Sequence, residues 1–77
     1  MNAFTGQTFQ MHQIINIKEV IQFTSISRAK LYEMINVNSK YYDPTFPQPI
    51  RLSESRIGWS ALEVNQWIEA KLEQRLE

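Results

Sequence analysis

Gly58-Trp59-Ser60-Ala61-Leu62-Glu63-Val64-Asn65-Gln66-Trp67-Ile68 passes from a strand end through a helix cap into an amphipathic helix without a linker. The run is reached through Phe46-Pro47-Gln48-Pro49-Ile50-Arg51-Leu52. Each proline fixes its own φ and biases the preceding residue away from the helical region, so residues 46–49 run extended and deliver a strand. Ile50-Arg51-Leu52 and Ile57-Gly58-Trp59 alternate apolar with polar or small residues around Ser53-Glu54-Ser55-Arg56, the pattern of a two-stranded hairpin with a four-residue tip. Ser60 and Glu63 have the spacing of a capping box, and Val64, Trp67, Ile68 and Leu72 repeat as an apolar helical stripe. Leu76 extends that stripe into a last turn expected to fray.

Upstream, Gln13-Ile14-Ile15 reads either as a short strand or as an extended lead-in. Asn16 and Glu19 have the spacing of an N-cap and its reciprocal carboxylate, and Ile17, Val20 and Ile21 share one helical face. Thr24-Ser25-Ile26 breaks the pattern with turn-favouring residues, and Ser27 is the N-cap of a second helix running to Ile35. Helix, short turn, helix is the helix-turn-helix spacing. In the second helix Leu31, Met34 and Ile35 face inward, Ala29, Lys30 and Glu33 face outward, and Arg28 and Tyr32 flank the outward set. Residues 36–45, with turn signals at Asn36-Val37-Asn38-Ser39 and Asp43-Pro44, read as a loop. The expected fold is mainly α with a small β-hairpin: a winged helix-turn-helix built from helix-turn-helix, wing hairpin and C-terminal helix. Residues 1–12 are expected to form a flexible N-terminal arm and residues 13–77 the folded domain.

Seventy-seven residues make one small domain, too small for an elaborate catalytic cleft. No cysteine is present to form a disulfide or ligate zinc, so stability rests on packing. Met1 to Gln10 has neither a basic start nor a continuous apolar run, so it does not read as a secretory signal, and no stretch approaches membrane-spanning length. A cytoplasmic protein is expected. Net charge is zero, which weighs against nucleic-acid binding, but charge is uneven. Arg28, Lys30, Lys40, Arg51 and Arg56 stand against Glu33, Asp43 and Glu54 in the middle, whereas Glu63, Glu69, Glu73 and Glu77 outnumber Lys71 and Arg75 after Ser60. A basic middle and an acidic tail fit one anion-facing surface and one turned away.

Several residues carry the functional question. Ser27 has Lys30 where Ser60 has Glu63, so the second helix lacks a reciprocal carboxylate and begins with open amides beside two cations, Arg28 and Lys30. Such a helix start favours a phosphate; the plain alternative is two solvated helix residues. Tyr32 either offers its hydroxyl to a phosphate or seals the core. Glu33 either accepts from a cytosine amine or sits clear of a groove. Arg56 at the hairpin tip and Arg51 on the adjoining strand suit a phosphate or the minor groove, against the alternative of an ion pair with Glu54. Lys40, in the loop, is a further candidate. Trp59 and Trp67 read as core joining wing to final helix, and Phe46 as a plug for the loop's return. His12 has no companion at metal spacing, and no nucleophile, base and carboxylate converge, so neither a metal site, a cofactor nor an enzyme is expected.

The 58–68 run, the 46–52 approach, Ile17-Lys18-Glu19-Val20 and Ser27-Arg28-Ala29-Lys30-Leu31-Tyr32 together resemble the AlpA family of prophage regulators over residues 14–70. That family consists of small winged helix-turn-helix DNA-binding proteins related to excisionases and to MerR-like DNA-binding domains. The resemblance implies double-stranded DNA as partner. It implies that the second helix enters the major groove with Ser27, Arg28, Ala29, Lys30, Tyr32 and Glu33 nearest it, and that Arg56, where the family pattern also has a basic residue, touches the backbone. Similar proteins activate or repress integrase genes, and related excisionases bend DNA to direct recombination. So small an interface implies a homodimer or a cooperative array, for which Leu72 and Leu76 are available. The stretch between Ile35 and Phe46 is longer than the short glycine-containing link expected in the family; it either brings Lys40, Tyr41 and Tyr42 beside DNA or contacts a protein. A protein-interaction module on the same fold is the rival reading, supported by zero net charge and Glu33.

Overall fold

The computed structural model describes residues 12–75. The stretch 1–11 of the expected arm, and Leu76 of the expected apolar stripe, lie outside the described residues. The chain runs β1 (Ile14–Ile15), α1 (Ile17–Thr24), α2 (Arg28–Ile35), β2 (Ile50–Arg51), β3 (Ile57–Ser60) and α3 (Ala61–Glu73). Three helices with a small antiparallel sheet make the winged helix-turn-helix that the sequence predicts.

The lead-in before α1 is a strand. Ile14 pairs with Ser60 and Ile15 with Trp59, while on the other side of β3 Ile50 pairs with Gly58 and Arg51 with Ile57, giving the sheet order β1-β3-β2. The hairpin closes where the Leu52 N–H donates to the Arg56 carbonyl at 2.9 Å. Gly58 sits in the central strand, where a Cβ would come within 2.5 Å of Ile14 Cγ2. Only glycine lets the outer strands close in that far.

Helix α1 begins with a complete capping box: the Glu19 N–H donates to Asn16 Oδ1 and the Asn16 N–H to Glu19 Oε1, each at 2.9 Å. It ends at Ser25, which takes the left-handed conformation (φ 62°) and donates its N–H to the Ile21 carbonyl at 2.7 Å. This single left-handed residue turns the chain from α1 into α2. The box expected at Ser60 and Glu63 is only half formed: Ser60 Oγ accepts the Glu63 N–H at 3.3 Å, while the exposed Glu63 side chain does not complete the return bond. Ser60 is also the last residue of β3, so sheet pairing with Ile14 sets its backbone direction.

Ile15, Val20, Leu31, Met34, Phe46, Trp59 and Val64 form the core, with Ile17, Ile21, Ile35 and Ile68 packed around it. Every element except the short β2 contributes, and each fully buried side chain of this kind stabilises the fold by roughly 1.5–3 kcal/mol. Trp59 is fully buried, as its pattern predicts, and its indole N–H donates to the Pro47 carbonyl at 3.1 Å. Trp67 packs against this core, as its stripe predicts, without being enclosed by it. It is only half-buried, packs edge-on against Phe46 with centroids 5.1 Å apart, and donates its N–H to Thr45 Oγ1. It therefore fastens α3 to the returning loop, because Phe46 and Thr45 occupy the space between helix and wing.

Candidate nucleic-acid interface

The exposed surface of α2 is set by what its other side buries. Leu31 and Met34 are in the core and Ile35 is half-buried, which leaves Arg28, Ala29, Lys30, Tyr32 and Glu33 exposed as the helical spacing predicts. Tyr32 lies on the outer surface of α2, 43% exposed, and is not one of the core residues. Ser27 is the N-cap, and its Oγ accepts the Lys30 N–H at 3.2 Å. Ser27 caps the helix as its sequence position predicts: the third amide is occupied by the cap, and the reciprocal carboxylate is missing. The amides of Arg28 and Ala29 have no carbonyl within the helix to bond, so the positive end of the helix dipole remains beside the Arg28 guanidinium.

Residues 36–45, legible in sequence only as a loop, are laid against α2 by specific bonds. The Asp43 N–H donates to the Met34 carbonyl at 2.9 Å, and Ser39 Oγ donates to the Glu33 carboxylate. The same Ser39 oxygen accepts the Tyr41 N–H at 3.0 Å. Tyr41 lies with its ring under the Lys30 ammonium, 3.6 Å from Nζ to centroid, while Lys40 Nζ is 5.2 Å from that centroid. Two of the expected site lysines, distant in sequence, are thus gathered around one aromatic ring. Sequence reading had Lys40 and Tyr41 together in the loop but missed their pairing with Lys30 and the part of Ser39, because nothing local records which helix face a loop will lie on.

The loop's return is held by Asp43. Burial alone would raise its carboxyl, but hydrogen bonds from the Thr45 hydroxyl and amide, the charge of Lys71 and the Trp67 indole outweigh burial and hold it below the ordinary carboxylate range. The Thr45 amide bond, at 2.8 Å, forms an Asx turn around Pro44, for which the Asp43-Pro44 pair was the visible signal.

On the hairpin, Arg51 and Arg56 are both exposed. Arg51 Nη1 donates to the main-chain carbonyl of Glu54 at 3.2 Å, so it braces the tip through the backbone and not through the Glu54 charge. The backbone of Arg56 closes the tip, its carbonyl accepting from the Leu52 and Ser53 amides, and its side chain is exposed. Among the described residues, no three His, Cys, Asp or Glu side chains gather where they would hold a metal ion, and no helix is long and apolar enough to cross a membrane.

Comparison with known proteins agrees with this architecture. A family model described as prophage CP4-57 regulatory protein (AlpA) matches residues 13–72, from the residue before β1 to the penultimate residue of α3. The DNA-binding transcriptional activator AlpA of Escherichia coli (strain K12) is 36% identical over 56 residues, covering 73% of this chain and 80% of the activator. No solved structure matches at a significant level. With its helix-turn-helix, its wing and all but the last residue of its C-terminal helix inside the matched span, the chain belongs to the AlpA family of prophage regulatory proteins.

Proposed function

We propose that this chain is a sequence-specific DNA-binding transcriptional regulator of prophage or integrative-element genes, working in the cytoplasm on duplex DNA. The observation that carries the reading is the exposed face of α2, where Arg28 and Lys30 stand at a capped helix start anchored to the core by buried Leu31 and Met34. In this reading α2 enters the major groove with Ser27, Arg28, Ala29, Lys30, Tyr32 and Glu33 nearest it. Lys40 meets the backbone beside the helix, and Arg51 and Arg56 meet it from the wing. The name of the Escherichia coli relative, a DNA-binding transcriptional activator, supports transcription as the output; in this reading an integrase gene or excision is the controlled step.

A domain this small gains affinity from repeated sites. A homodimer or a cooperative array fits the exposed apolar residues Phe23 and Leu72, which line a shallow cavity of about 330 Å³ with Ile26 and Ile68. The test is fluorescence anisotropy with duplexes from the DNA flanking the protein's own gene, across a salt series. Affinity should fall steeply with salt and be strongest for one flanking segment, since counterion release accompanies phosphate contacts. Absent or salt-insensitive binding would overturn the reading in favour of a protein-interaction module. Strong bending of the bound duplex without any change in transcription would instead assign an excisionase role.

A further inference from the structure

We propose that Tyr41 is a positioning residue for DNA phosphate binding: its ring holds the Lys30 ammonium in place and gathers Lys40 beside it. Loop and helix α2 then present one two-lysine phosphate clamp. The inference rests on the DNA-binding reading above and extends it to a part of the chain that a helix-turn-helix does not need.

A lysine ammonium at the end of four rotatable bonds ordinarily loses side-chain entropy when it fixes a phosphate. Lys30 is already held, 3.6 Å over the face of Tyr41, so less of that loss remains at binding. The ring is held in turn. The Tyr41 N–H donates to Ser39 Oγ, and that hydroxyl donates to Glu33 on α2, so the ring's backbone stands two hydrogen bonds from the helix carrying Lys30. Glu33, the acid on the same helix face, is tied to the loop through Ser39. Tyr41 is about half exposed, so the cluster opens to solvent. Two ammonium groups gathered around one ring concentrate positive charge where loop and helix meet, and an anion approaching that junction is attracted by both. A DNA phosphate next to α2 is such an anion.

The experiment combines anisotropy on duplex DNA with proton NMR of the free chain. Tyr41→Phe keeps the ring and should bind like the wild type. Tyr41→Ala should weaken binding about two- to fivefold, the span expected for an exposed cation–π contact. Placed in a Lys30→Ala background, Tyr41→Ala should cost only a fraction of that factor. The ε-methylene protons of Lys30 should be shifted upfield by the ring in the wild type and in Tyr41→Phe; an unshifted signal in the wild type overturns the proposal whatever Tyr41→Ala does to folding. So does wild-type affinity in Tyr41→Ala, or full multiplication of the Lys30→Ala and Tyr41→Ala losses. If the wild-type chain itself shows no salt-dependent DNA binding, the function reading falls first and the clamp falls with it.

Discussion

Gly58 and Ile14 approach so closely across the sheet that a Cβ on Gly58 would lie 2.5 Å from Ile14 Cγ2, with the Ile15 carbonyl oxygen at 3.1 Å. The branched Ile14 side chain has few rotamers to retreat into, and the carbonyl belongs to the backbone. Gly58→Ala should therefore destabilise the domain by about 1–3 kcal/mol, as overpacking does elsewhere, and a thermal melt will read it. An unchanged midpoint would mean that β1 can part from β3 without loss.

Ser25 carries the opposite opportunity. A non-glycine residue in the left-handed region costs roughly 1–2 kcal/mol, and glycine escapes most of it. Ser25→Gly should raise the melting midpoint, and Ser25→Val should lower it. A destabilising Ser25→Gly would indicate that the extra freedom of the unfolded chain outweighs the relieved strain.

Asp43 should make stability depend on pH in a defined direction. Its carboxyl is held below its ordinary value in the fold, so its contribution is fully present above that ordinary value and is lost as pH falls through the lowered one. Asp43→Asn keeps the shape and removes the charge. Wild type should exceed the variant in stability at neutral pH, and the gap should close on acidification. A gap that stays constant across denaturant melts in the acid range would exclude the charge as its cause.

Arg56→Ala should leave stability within about 0.5 kcal/mol, because the side chain stands outside the core at the hairpin tip. DNA affinity should nonetheless fall. Lysine at this position separates two modes: a point-charge phosphate contact is partly kept, whereas readout of a narrow minor groove suffers more. Unchanged affinity of the folded Arg56→Ala chain would remove the wing from the interface.

The helices and the hairpin were legible in the sequence because their signals are local. Asn16 with Glu19, Ser27 and Ser60 mark helix starts, and the 50–59 alternation marks the wing, all within a few residues of what they determine. The inward and outward faces of α2 followed from the same periodicity. What remained hidden depended on tertiary partners. Residues 36–45 show only turn chemistry in sequence, and their course is decided by Met34, Glu33 and Lys30 on a helix the loop has already left. Trp67 shows the same division: helical spacing gave the inward direction of its side chain, but not its partners Phe46 and Thr45 on the returning loop.

Ser60 belongs to two elements at once, closing β3 opposite Ile14 and capping α3 through the Glu63 amide, while the next amide, Ala61, donates to the Gln13 carbonyl at 2.8 Å. No hinge separates the sheet from the last helix. A wing pressed against a curved or bending duplex cannot swing about α3 as an independent flap; any load on the hairpin tip passes through Ser60 into the helix axis. The domain should therefore meet DNA as a caliper of fixed span, and a bent site would be favoured or rejected according to whether its grooves match that span.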